Sequence, residues 1–308
     1  MLSWLRRQAE RGYERMLRRE VSGAPDHVAV IQDGNRRYAR KEGGEATDGY
    51  RTGAETTEQL LNWCDEFGVQ ELTLYTFSTE NFDRPAEQQE SLFDLIEEKL
   101  YEFADADRVH DGEVRIRAIG ETHMLPERVR DAVRYAESQT EGYDSLHLNI
   151  ALAYGGRAEL LGAARDAAKD VADGTLASED IDADTVESYL YEGPVRDVDL
   201  ILRTGGDERT SNFLPWHANG NEAAVFFCTP YWPEFRKLDF LRAIRTYEHR
   251  AESWRIARAR RALVLVRAMG SAELDEARRV LGQFRDSLPS GEREELDAEE
   301  FEADPAAD

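Results

Sequence analysis

Residues 27–40, HVAVIQDGNRRYAR, decide the fold and supply the first candidate site residues. The apolar start predicts a buried strand, which stops at Asp33-Gly34-Asn35 and turns into the basic start of a helix. A carboxylate at this place can hold a divalent cation. The free N–H groups of a helix N-terminus bind anions, and arginines bind phosphate oxygens in bidentate fashion. The stretch therefore fits a metal-bound phosphorylated ligand, although Asp-Gly-Asn is also ordinary turn chemistry.

Apolar, β-branched runs alternate with helical patterns along most of the chain. The predicted strands cover residues 27–32, 71–78, 114–120, 146–154, 198–204 and 223–229. The predicted helices cover residues 49–67, 86–107, 126–140, 157–173, 183–191 and 234–269. This alternation predicts an α/β fold, a single domain with a central, mostly parallel six-stranded sheet flanked by helices.

The composition narrows the class of protein. The chain has 308 residues, of which 41% are hydrophobic, enough for a substantial core. Its apolar runs are too short to cross a bilayer, and the N-terminus lacks a signal-peptide pattern, so we expect a cytoplasmic protein. Cys64 and Cys228 are far apart in the sequence, which indicates neither a zinc site nor a disulfide framework.

The net charge of −24 argues against nucleic acid as a partner, because nucleic-acid-binding proteins carry a basic footprint. Most positive charges are arginine, since lysine occurs only at positions 41, 99, 169 and 237. A large acidic excess destabilises a fold by self-repulsion unless salt screens it. The composition therefore predicts a salt-loving source, a haloarchaeon.

The two ends of the chain differ from its middle. Residues 1–24 predict a basic amphipathic helix, which could contact anionic lipid headgroups and make the protein peripheral to a membrane. The other interpretation is a helix that lies across the main domain. We expect that domain at residues 25–270, a helical extension at 271–288 and an acidic, disordered tail at 289–308.

Polar residues cluster where predicted strands end. In open parallel sheets ligands bind beyond the carboxyl ends of the strands, so segments distant in sequence should converge on one cleft. The candidates are Asp33, Gly34 and Asn35 after the first strand, Ser78, Asn81, Phe82 and Arg84 after the second, and Arg203, Arg209 and Ser211 after the fifth.

The segment RTGGDERTS, residues 203–211, fits an oxyanion cradle. Its two glycines let successive N–H groups face an anion, and two arginines and a hydroxyl complete the shell. The other interpretation is a polar surface loop. Glu222, just before the sixth strand, could add a second carboxylate to the site opened by Asp33, although by spacing alone it is an ordinary surface residue.

Residues 27–39, 72–85, 148–157 and 198–222 together resemble the cis-prenyltransferase family, the undecaprenyl and dehydrodolichyl diphosphate synthases. The similarity spans roughly residues 25–250, with several segments in matching order. The Arg36-Arg37-Tyr38 variant and the basic N-terminal helix are more similar to archaeal and eukaryotic members than to bacterial ones.

This resemblance implies an enzyme that condenses isopentenyl diphosphate repeatedly onto an allylic diphosphate with cis geometry. Geranylgeranyl diphosphate is the expected primer, and a long polyprenyl diphosphate that becomes a glycan-carrier lipid is the expected product. Family members are typically homodimers, so we expect a homodimer here.

The resemblance also assigns roles to residues. Asp33 would be catalytic and would hold Mg²⁺ with the diphosphate, while Glu222 would contribute to the metal site and Asn81 would act at the reacting centre. The implied substrate-binding residues are Gly34, Asn35, Arg36 and Arg37 for the allylic diphosphate, Ser78, Phe82 and Arg84 near the reacting centre, and Arg203, Arg209 and Ser211 for isopentenyl diphosphate.

The growing hydrocarbon chain requires an apolar tunnel under the sheet. Candidate walls are residues 91–96 of a predicted helix, including Phe93, together with Ile150 and Leu152 of the fourth strand. Ordinary core packing would give the same pattern.

Some positions depart from the family pattern. Ala46 and Tyr50 stand where bacterial members usually carry an arginine and a histidine, and Glu208 stands where a histidine is usual. Arg51 could replace one of the missing contacts. A non-catalytic or altered-substrate partner subunit of a heteromeric enzyme is therefore an alternative, but the intact motif at residues 33–35 counts against it.

Two other enzyme classes fit less well. The chain lacks the glycine-rich phosphate-binding motifs of nucleotide-dependent enzymes. It also lacks the all-helical pattern and the aspartate-rich motifs of trans-type prenyl synthases.

Overall fold

The computed structural model describes residues 12–190, 196–218 and 223–268. The chain divides into two compact units, residues 1–247 and 248–308. The first unit contains the sheet and the candidate site, and the described part of the second, residues 248–268, is helical. Residues 1–11, Glu222 and the segments predicted at 271–288 and 289–308 lie outside the described residues.

A six-stranded sheet forms the centre of the first unit. Its strands are β1 (His27–Ile31), β2 (Glu71–Tyr75), β3 (Val114–Ile119), β4 (Leu146–Ala151), β5 (Leu200–Arg203) and β6 (Ala224–Phe227). The order across the sheet is β3-β4-β2-β1-β5-β6, and every pairing is parallel. The predicted α/β fold is therefore confirmed.

Helices connect the strands. They are α1 (12–20), α2 (Asn35–Glu42), α3 (Ala46–Phe67), α4 (Ala86–Ala104), α5 (Asp107–Asp111), α6 (Glu127–Thr140), α7 (Gly156–Asp173), α8 (Ala183–Leu190) and α9 (Lys237–Ala268). Short 3-10 helices cover Thr79–Asp83, Thr122–Met124, Ser178–Asp180 and Trp232–Glu234.

The second strand ends earlier than predicted. The prediction extended it to residue 78, but β2 ends at Tyr75. The N–H groups of Thr76 and Phe77 both donate to the carbonyl oxygen of Ala151, at 3.2 and 3.1 Å, so the regular ladder stops there. The backbone then turns toward the carboxyl edge of the sheet.

The predicted helix at 86–107 is also shorter in the structure. It ends at Ala104, and α5 is a separate helix of its own.

The strand order creates a cleft at β1. This strand is buried along its whole length and has β2 on one side and β5 on the other. After β1, the chain first forms β2, β3 and β4 on one side of this strand and then crosses over to form β5 and β6 on the other side. The strand order therefore reverses at β1, which makes it a topological switch point. Ligands of open α/β sheets bind beyond the carboxyl ends of the strands at such a point.

The described part of the N-terminal helix packs on the first unit. Leu17 is fully buried against Leu238 and Leu241 of α9. Arg18 forms an ion pair with Glu66 of α3 at 2.7 Å. Residues 12–20 thus follow the second interpretation, a helix that lies across the domain.

A membrane-spanning helix is not found among the described residues, because none of their helices is both long and apolar enough.

Candidate active site

Asp33 lies at the centre of the site, two residues after β1. Its Oδ2 accepts a hydrogen bond from Arg203 Nη2 at 2.7 Å, and its Oδ1 accepts one from Arg37 Nη2 at 3.0 Å. Burial raises the pKa of Asp33, but the hydrogen bonds and charges of Arg203 and Arg37 outweigh burial and hold that pKa below its ordinary value. The carboxylate is therefore charged at neutral pH.

Strand register places Asp33 beside Arg203. Ile31 at the end of β1 pairs with Arg203 at the end of β5. The N–H of Asp33 donates to Thr204 Oγ1 at 3.0 Å, and the hydroxyl of Thr204 donates to the carbonyl oxygen of Asp33 at 2.7 Å. Two elements distant in sequence are thus joined at their carboxyl ends.

Gly34 makes the turn from β1 into α2 possible. Its φ of 104° lies in the left-handed region that favours glycine. A Cβ atom there would lie 2.6 Å from Cδ1 of Tyr231. No larger residue fits this position without displacing Tyr231, on whose ring the guanidinium of Arg37 lies at 5.4 Å.

The loop after β5 folds around the guanidinium of Arg203. Gly205 and Gly206 have φ values of 87° and 81°, so the chain curls directly after the strand. Arg203 Nη1 donates to the carbonyl oxygen of Arg209 at 2.7 Å and to Ser211 Oγ at 2.5 Å. The predicted cradle side chains are therefore together in the structure. The N–H groups of Gly205 and Gly206, however, donate to the carbonyl oxygens of Pro230 and Cys228 at 2.7 and 2.9 Å, so the prediction that these N–H groups face an anion is wrong.

Asp207 is a site residue that sequence reasoning missed. Its Oδ2 lies 3.0 Å from Arg209 Nη2, 3.4 Å from Arg203 Nη2 and 3.9 Å from Arg37 Nη2. The sequence did contain a signal for this role, because Asp207 lies between Arg203 and Arg209 in the RTGGDERTS segment. The site thus has a second carboxylate, which neutralises part of the arginine charge.

The segment after β2 supplies the opposite side of the site. Asn81 Nδ2 donates to Ser78 Oγ at 2.7 Å, and Arg84 Nη1 donates to the hydroxyl of Tyr50 in α3 at 2.9 Å. Tyr75 stacks on Phe213 with ring centroids 4.5 Å apart. Burial raises the pKa of Tyr75 to about 12, so its hydroxyl stays protonated.

One cavity of about 320 Å³ joins these groups to an apolar interior, a volume typical of ligand pockets. Its polar mouth is lined by Asp33, Asn35, Ser78, Asn81, Arg84, Arg203, Arg209 and Ser211. Its interior is lined by Ala54, Thr57, Leu74, Leu92, Leu95, Ile96, Lys99, Leu100, Phe103 and Ile150. The cavity is polar at one end and mainly apolar at the other.

Other predicted site residues lie elsewhere. Gly34 forms the turn beside the mouth, and Arg37 lies beside the mouth with its guanidinium hydrogen-bonded to Asp33. Arg36 is exposed and is not among the lining residues. Phe82 packs against Phe77 and Phe93, with ring centroids 5.0 and 6.3 Å away, and does not line the cavity either. The predicted metal residue Glu222 lies outside the described residues.

The predicted tunnel walls are only partly present. Ile150 and the α4 residues Leu92, Leu95 and Ile96 line the cavity. Phe93 and Leu152 do not line it, and both are buried in the hydrophobic core instead. Core packing is thus the correct interpretation for those two.

The positions that depart from the family pattern have defined places in the structure. Tyr50 lines the cavity and holds Arg84, as described above. Ala46 is the first residue of α3. Arg51 is exposed and lies 4.0 Å from Glu98, and Glu208 is exposed in the loop after β5.

Comparison with known proteins places the chain in a family. Residues 31–255, more than half of the chain, match the family described as "Putative undecaprenyl diphosphate synthase". The chain also resembles the crystal structure of lavandulyl diphosphate synthase from Lavandula x intermedia with dimethylallyl diphosphate. That match has a TM-score of 0.68 and 31% identity and covers 73% of this chain and 95% of that one.

A second solved structure, a probable undecaprenyl diphosphate synthase from Campylobacter jejuni, matches with a TM-score of 0.59 and 31% identity, over 73% of this chain and 95% of that one. The fold and the site thus define the protein as a prenyltransferase.

Archaeal relatives are considerably more similar. A protein of Haloarcula marismortui is 69% identical over 97% of this chain and 98% of its own length, and one of Methanosarcina mazei is 48% identical over 79% and 83%. Both are named tritrans,polycis-undecaprenyl-diphosphate synthase (geranylgeranyl-diphosphate specific). The chain belongs to the cis-prenyltransferase family and is of its archaeal type, which confirms the resemblance found in the sequence.

Proposed function

We propose that this enzyme extends geranylgeranyl diphosphate by repeated cis condensation with isopentenyl diphosphate and releases a long polyprenyl diphosphate. The observation that carries the proposal is the continuous cavity with an arginine-rich mouth and an apolar interior. A prenyl diphosphate has the same two parts, an anionic head and a hydrocarbon tail. The names of the archaeal relatives support geranylgeranyl diphosphate as the primer.

Asp33 lies between the groups assigned to the two substrates. One of its oxygens accepts from Arg37, which belongs to the allylic diphosphate set. The other accepts from Arg203, which belongs with Arg209 and Ser211 to the isopentenyl diphosphate set. This arrangement supports two neighbouring diphosphate seats with a shared carboxylate between them.

Mg²⁺ fits the donor set when the substrate contributes ligands. Asp33 is a carboxylate on the cavity wall, and Mg²⁺ commonly takes one or two carboxylates plus substrate phosphate oxygens. Within the part of the chain that the structure describes, no group of three potential ligands could hold a metal without the substrate. When bound, the ion would neutralise charge on the departing diphosphate.

The arginines at the mouth favour departure of the allylic diphosphate. Cleavage of the allylic C–O bond leaves cationic character on carbon and negative charge on the diphosphate. Arg37 and Arg203 are already hydrogen-bonded in place, so they can stabilise this charge without reorganising. The apolar interior keeps water from the hydrocarbon and holds the growing tail.

Three further properties are part of the proposal. We expect a homodimer, as in the family, and a product that serves as a glycan-carrier lipid. Residues 12–20 pack on the domain through Leu17, but Arg15 and Arg19 are exposed, and contact of this basic face with a membrane surface would suit an enzyme whose product is lipid. Light scattering tests for the homodimer, and co-sedimentation with anionic vesicles tests for contact with a membrane surface.

The test of the function is a condensation assay with Asp33→Ala. Purified enzyme in molar salt receives labelled isopentenyl diphosphate, Mg²⁺ and either geranylgeranyl or farnesyl diphosphate, and products are separated by chain length. We expect a polyprenyl ladder with the geranylgeranyl primer, and a loss of at least about a hundredfold in Asp33→Ala, since charge stabilisation of this kind contributes about 10²–10³ per group.

The control is Asp131→Asn, which removes an exposed carboxylate of α6 and should leave turnover unchanged. Circular dichroism checks that each variant is folded. Substantial condensation by folded Asp33→Ala would refute the assigned role, and absence of product from the wild type with either primer would refute the function.

A further inference from the structure

The two arginines that hold Asp33 differ in how firmly the protein encloses them. The side chain of Arg203 is 4% exposed, whereas that of Arg37 is 34% exposed. Arg37 Nη2 donates to Asp33 and lies 3.9 Å from Asp207, so two carboxylates are near one end of the guanidinium. A long side chain that is partly exposed loses rotamer freedom only if further contacts hold it. The structure supplies such a contact in Tyr231.

The ring of Tyr231 lies against the guanidinium of Arg37. Cζ of Arg37 is 5.4 Å from the ring centroid, which is within cation–π range. Gly34 allows the ring to lie this close to the turn after β1, because a side chain there would collide with it. An aromatic ring stacks on the face of a guanidinium and leaves its N–H groups free to bind carboxylate or phosphate oxygens. Tyr231 can therefore hold Arg37 without competing with a ligand.

The position of the ring is fixed by the backbone on both sides of it. The carbonyl oxygen of Pro230 accepts a hydrogen bond from the N–H of Gly205 at 2.7 Å. The N–H of Trp232 donates to the carbonyl oxygen of Asp33 at 3.0 Å. Tyr231 thus lies between two backbone hydrogen bonds, one to the loop after β5 and one to the turn after β1.

Helix α2, which carries Arg37, contacts the same segment at a second point. Lys41 of α2 donates to Glu234 Oε1, and Glu234 Oε2 accepts a hydrogen bond from the N–H of Tyr231 at 3.3 Å. Lys41 follows Arg37 by four positions, so the two side chains lie on one face of the helix. Residues 231–234 therefore hold this face of α2 through both Arg37 and Lys41.

We propose that Tyr231 is a positioning residue for the allylic diphosphate, because its ring holds the guanidinium of Arg37 in place beside Asp33 and Asp207. This inference rests on the proposed function. Without the ring, the diphosphate must itself order the Arg37 side chain on binding, which lowers the affinity. The isopentenyl diphosphate set contains Arg203, which is held by other groups, so the loss of the ring should affect one substrate and spare the other.

The test measures the equilibrium binding of geranylgeranyl diphosphate in molar KCl with Mg²⁺ and without isopentenyl diphosphate. The proteins are the full-length wild type, Tyr231→Leu, Tyr231→Phe and a control. A cation–π contact corresponds to about two- to thirtyfold in affinity, so we expect Kd to rise about tenfold in Tyr231→Leu. Tyr231→Phe keeps the ring and should restore Kd to within about twofold of the wild type. Steady-state kinetics should show little change in KM for isopentenyl diphosphate in either variant.

The control is Tyr13→Leu, the same substitution in another pair of this kind. The guanidinium of Arg242 lies 5.5 Å from the ring centroid of Tyr13, almost the distance found for Arg37 and Tyr231. Neither residue of the control pair lines the cavity. The affinity for geranylgeranyl diphosphate should therefore be unchanged in Tyr13→Leu.

Each readout has an outcome that would overturn the inference. An unchanged Kd in folded Tyr231→Leu would do so, as would an equal rise in Tyr231→Phe or in Tyr13→Leu. A rise in KM for isopentenyl diphosphate as large as the rise in Kd would assign Tyr231 a general structural role instead. If Tyr231→Leu fails to fold, Tyr231→Met replaces it with the same expectation, since methionine adapts to irregular gaps.

Binding and turnover keep the inference separate from the proposed function. A wild type that binds geranylgeranyl diphosphate but condenses nothing onto it would refute the function, while the comparison of Kd values would still test the role of Tyr231.

Discussion

Single side chains at the mouth of the cavity are held by neighbouring protein groups. The guanidinium of Arg203 donates to Asp33, to Ser211 and to the carbonyl oxygen of Arg209, and it is almost fully buried. Such donors contribute more to catalysis than mobile ones, because they do not reorganise as charge develops. Residues that position the arginines should therefore also affect catalysis.

Tyr50 is such a residue, and Tyr50→Phe tests its role. Loss of the hydroxyl removes the 2.9 Å hydrogen bond that Arg84 donates to it. A hydrogen bond that involves a charged group contributes about 1.5–3 kcal/mol, so we expect kcat/KM to fall by about tenfold or more. Steady-state kinetics in high salt measures this. Tyr101→Phe is the control, since Tyr101 does not line the cavity, and an equal effect in both variants would contradict the role of Tyr50.

Residues at the ends of strands were predictable, whereas residues within helical segments were predicted only in part. Asp33 and Arg203 lie at strand ends, and parallel register brings such ends to one edge. Arg36 and Phe82 lie in helical turns, where neighbouring residues point in different directions and packing decides which one reaches the cavity. Lys99 of α4 lies 3.5 Å from Glu58 of α3, which is 41 positions earlier, and no local pattern predicts this pairing.

At the scale of elements, helix α7 supports the loop that carries Ser211. Ser211, Asn212 and Leu214 have φ values of 50°, 59° and 47°, a left-handed conformation that is uncommon outside glycine. The N–H of Gly156, the first residue of α7, donates to the carbonyl oxygen of Asn212 at 3.0 Å. The loop thus holds a strained conformation against the start of a helix.

Gly156→Ala should displace this loop. A Cβ atom at Gly156 would lie 2.2 Å from Cδ of Pro215 and 2.8 Å from the carbonyl oxygen of Asn212. We expect KM for isopentenyl diphosphate to rise about tenfold and stability to fall by about 1–3 kcal/mol, as in other overpacked sites.

The control is Gly162→Ala in the same helix, where a Cβ atom meets nothing within 4 Å. This change should be neutral or stabilise by up to about 1 kcal/mol, because alanine favours helix. Kinetics and urea unfolding measure both variants. Unchanged KM in Gly156→Ala would show that α7 does not position the loop.

Two buried histidines near the amino end of the sheet, His217 and His27, make the stability of the fold depend on pH. Burial lowers the pKa of His217 to about 4, below the ordinary value of 6.5. Between these values the unfolded chain binds more protons than the folded one, so the contribution of His217 to stability is lost as pH falls from about 6.5 to about 4. Burial also lowers the pKa of the neighbouring His27.

The variant His217→Gln isolates this contribution. Burial raises the pKa of Asp197 and Asp199, which acts in the opposite direction, so the difference between wild type and variant is the useful quantity. We expect the wild type to lose on the order of 2 kcal/mol more than His217→Gln between pH 6.5 and pH 4.5. Urea unfolding at a series of pH values measures the difference, and parallel curves would contradict the prediction.

For the molecule as a whole, the sequence predicts the sheet and the edge where the site lies, but it does not predict which residues line the cavity. Strand and helix periods are local signals, and parallel pairing brings the carboxyl ends of β1, β2 and β5 to one edge. The interior of the cavity depends on how α3 and α4 pack against each other. Leu92 lines the cavity while its neighbour Phe93 is in the core, a difference that only packing decides.

The charge of the whole chain predicts stabilisation by salt. A net charge of −24 repels itself in the compact state, and even Arg128 lies among three carboxylates, those of Glu90, Asp94 and Glu97. The Debye length falls from about 10 Å at 0.1 M to about 3 Å at 1 M, so added salt screens this repulsion. We expect the melting temperature to rise by at least about 10 °C between about 0.1 M and 1 M KCl, where screening changes most.

An uncharged osmolyte separates screening from stronger apolar burial. Sucrose is excluded from protein surfaces and strengthens burial without screening charge, so it should raise the melting temperature far less than KCl does at equal osmolality. Thermal unfolding followed by circular dichroism measures both series. Equal melting temperatures at low and high KCl would refute the halophilic interpretation, whereas equal effects of sucrose and KCl would assign the stabilisation to burial, because charge screening acts only through ions.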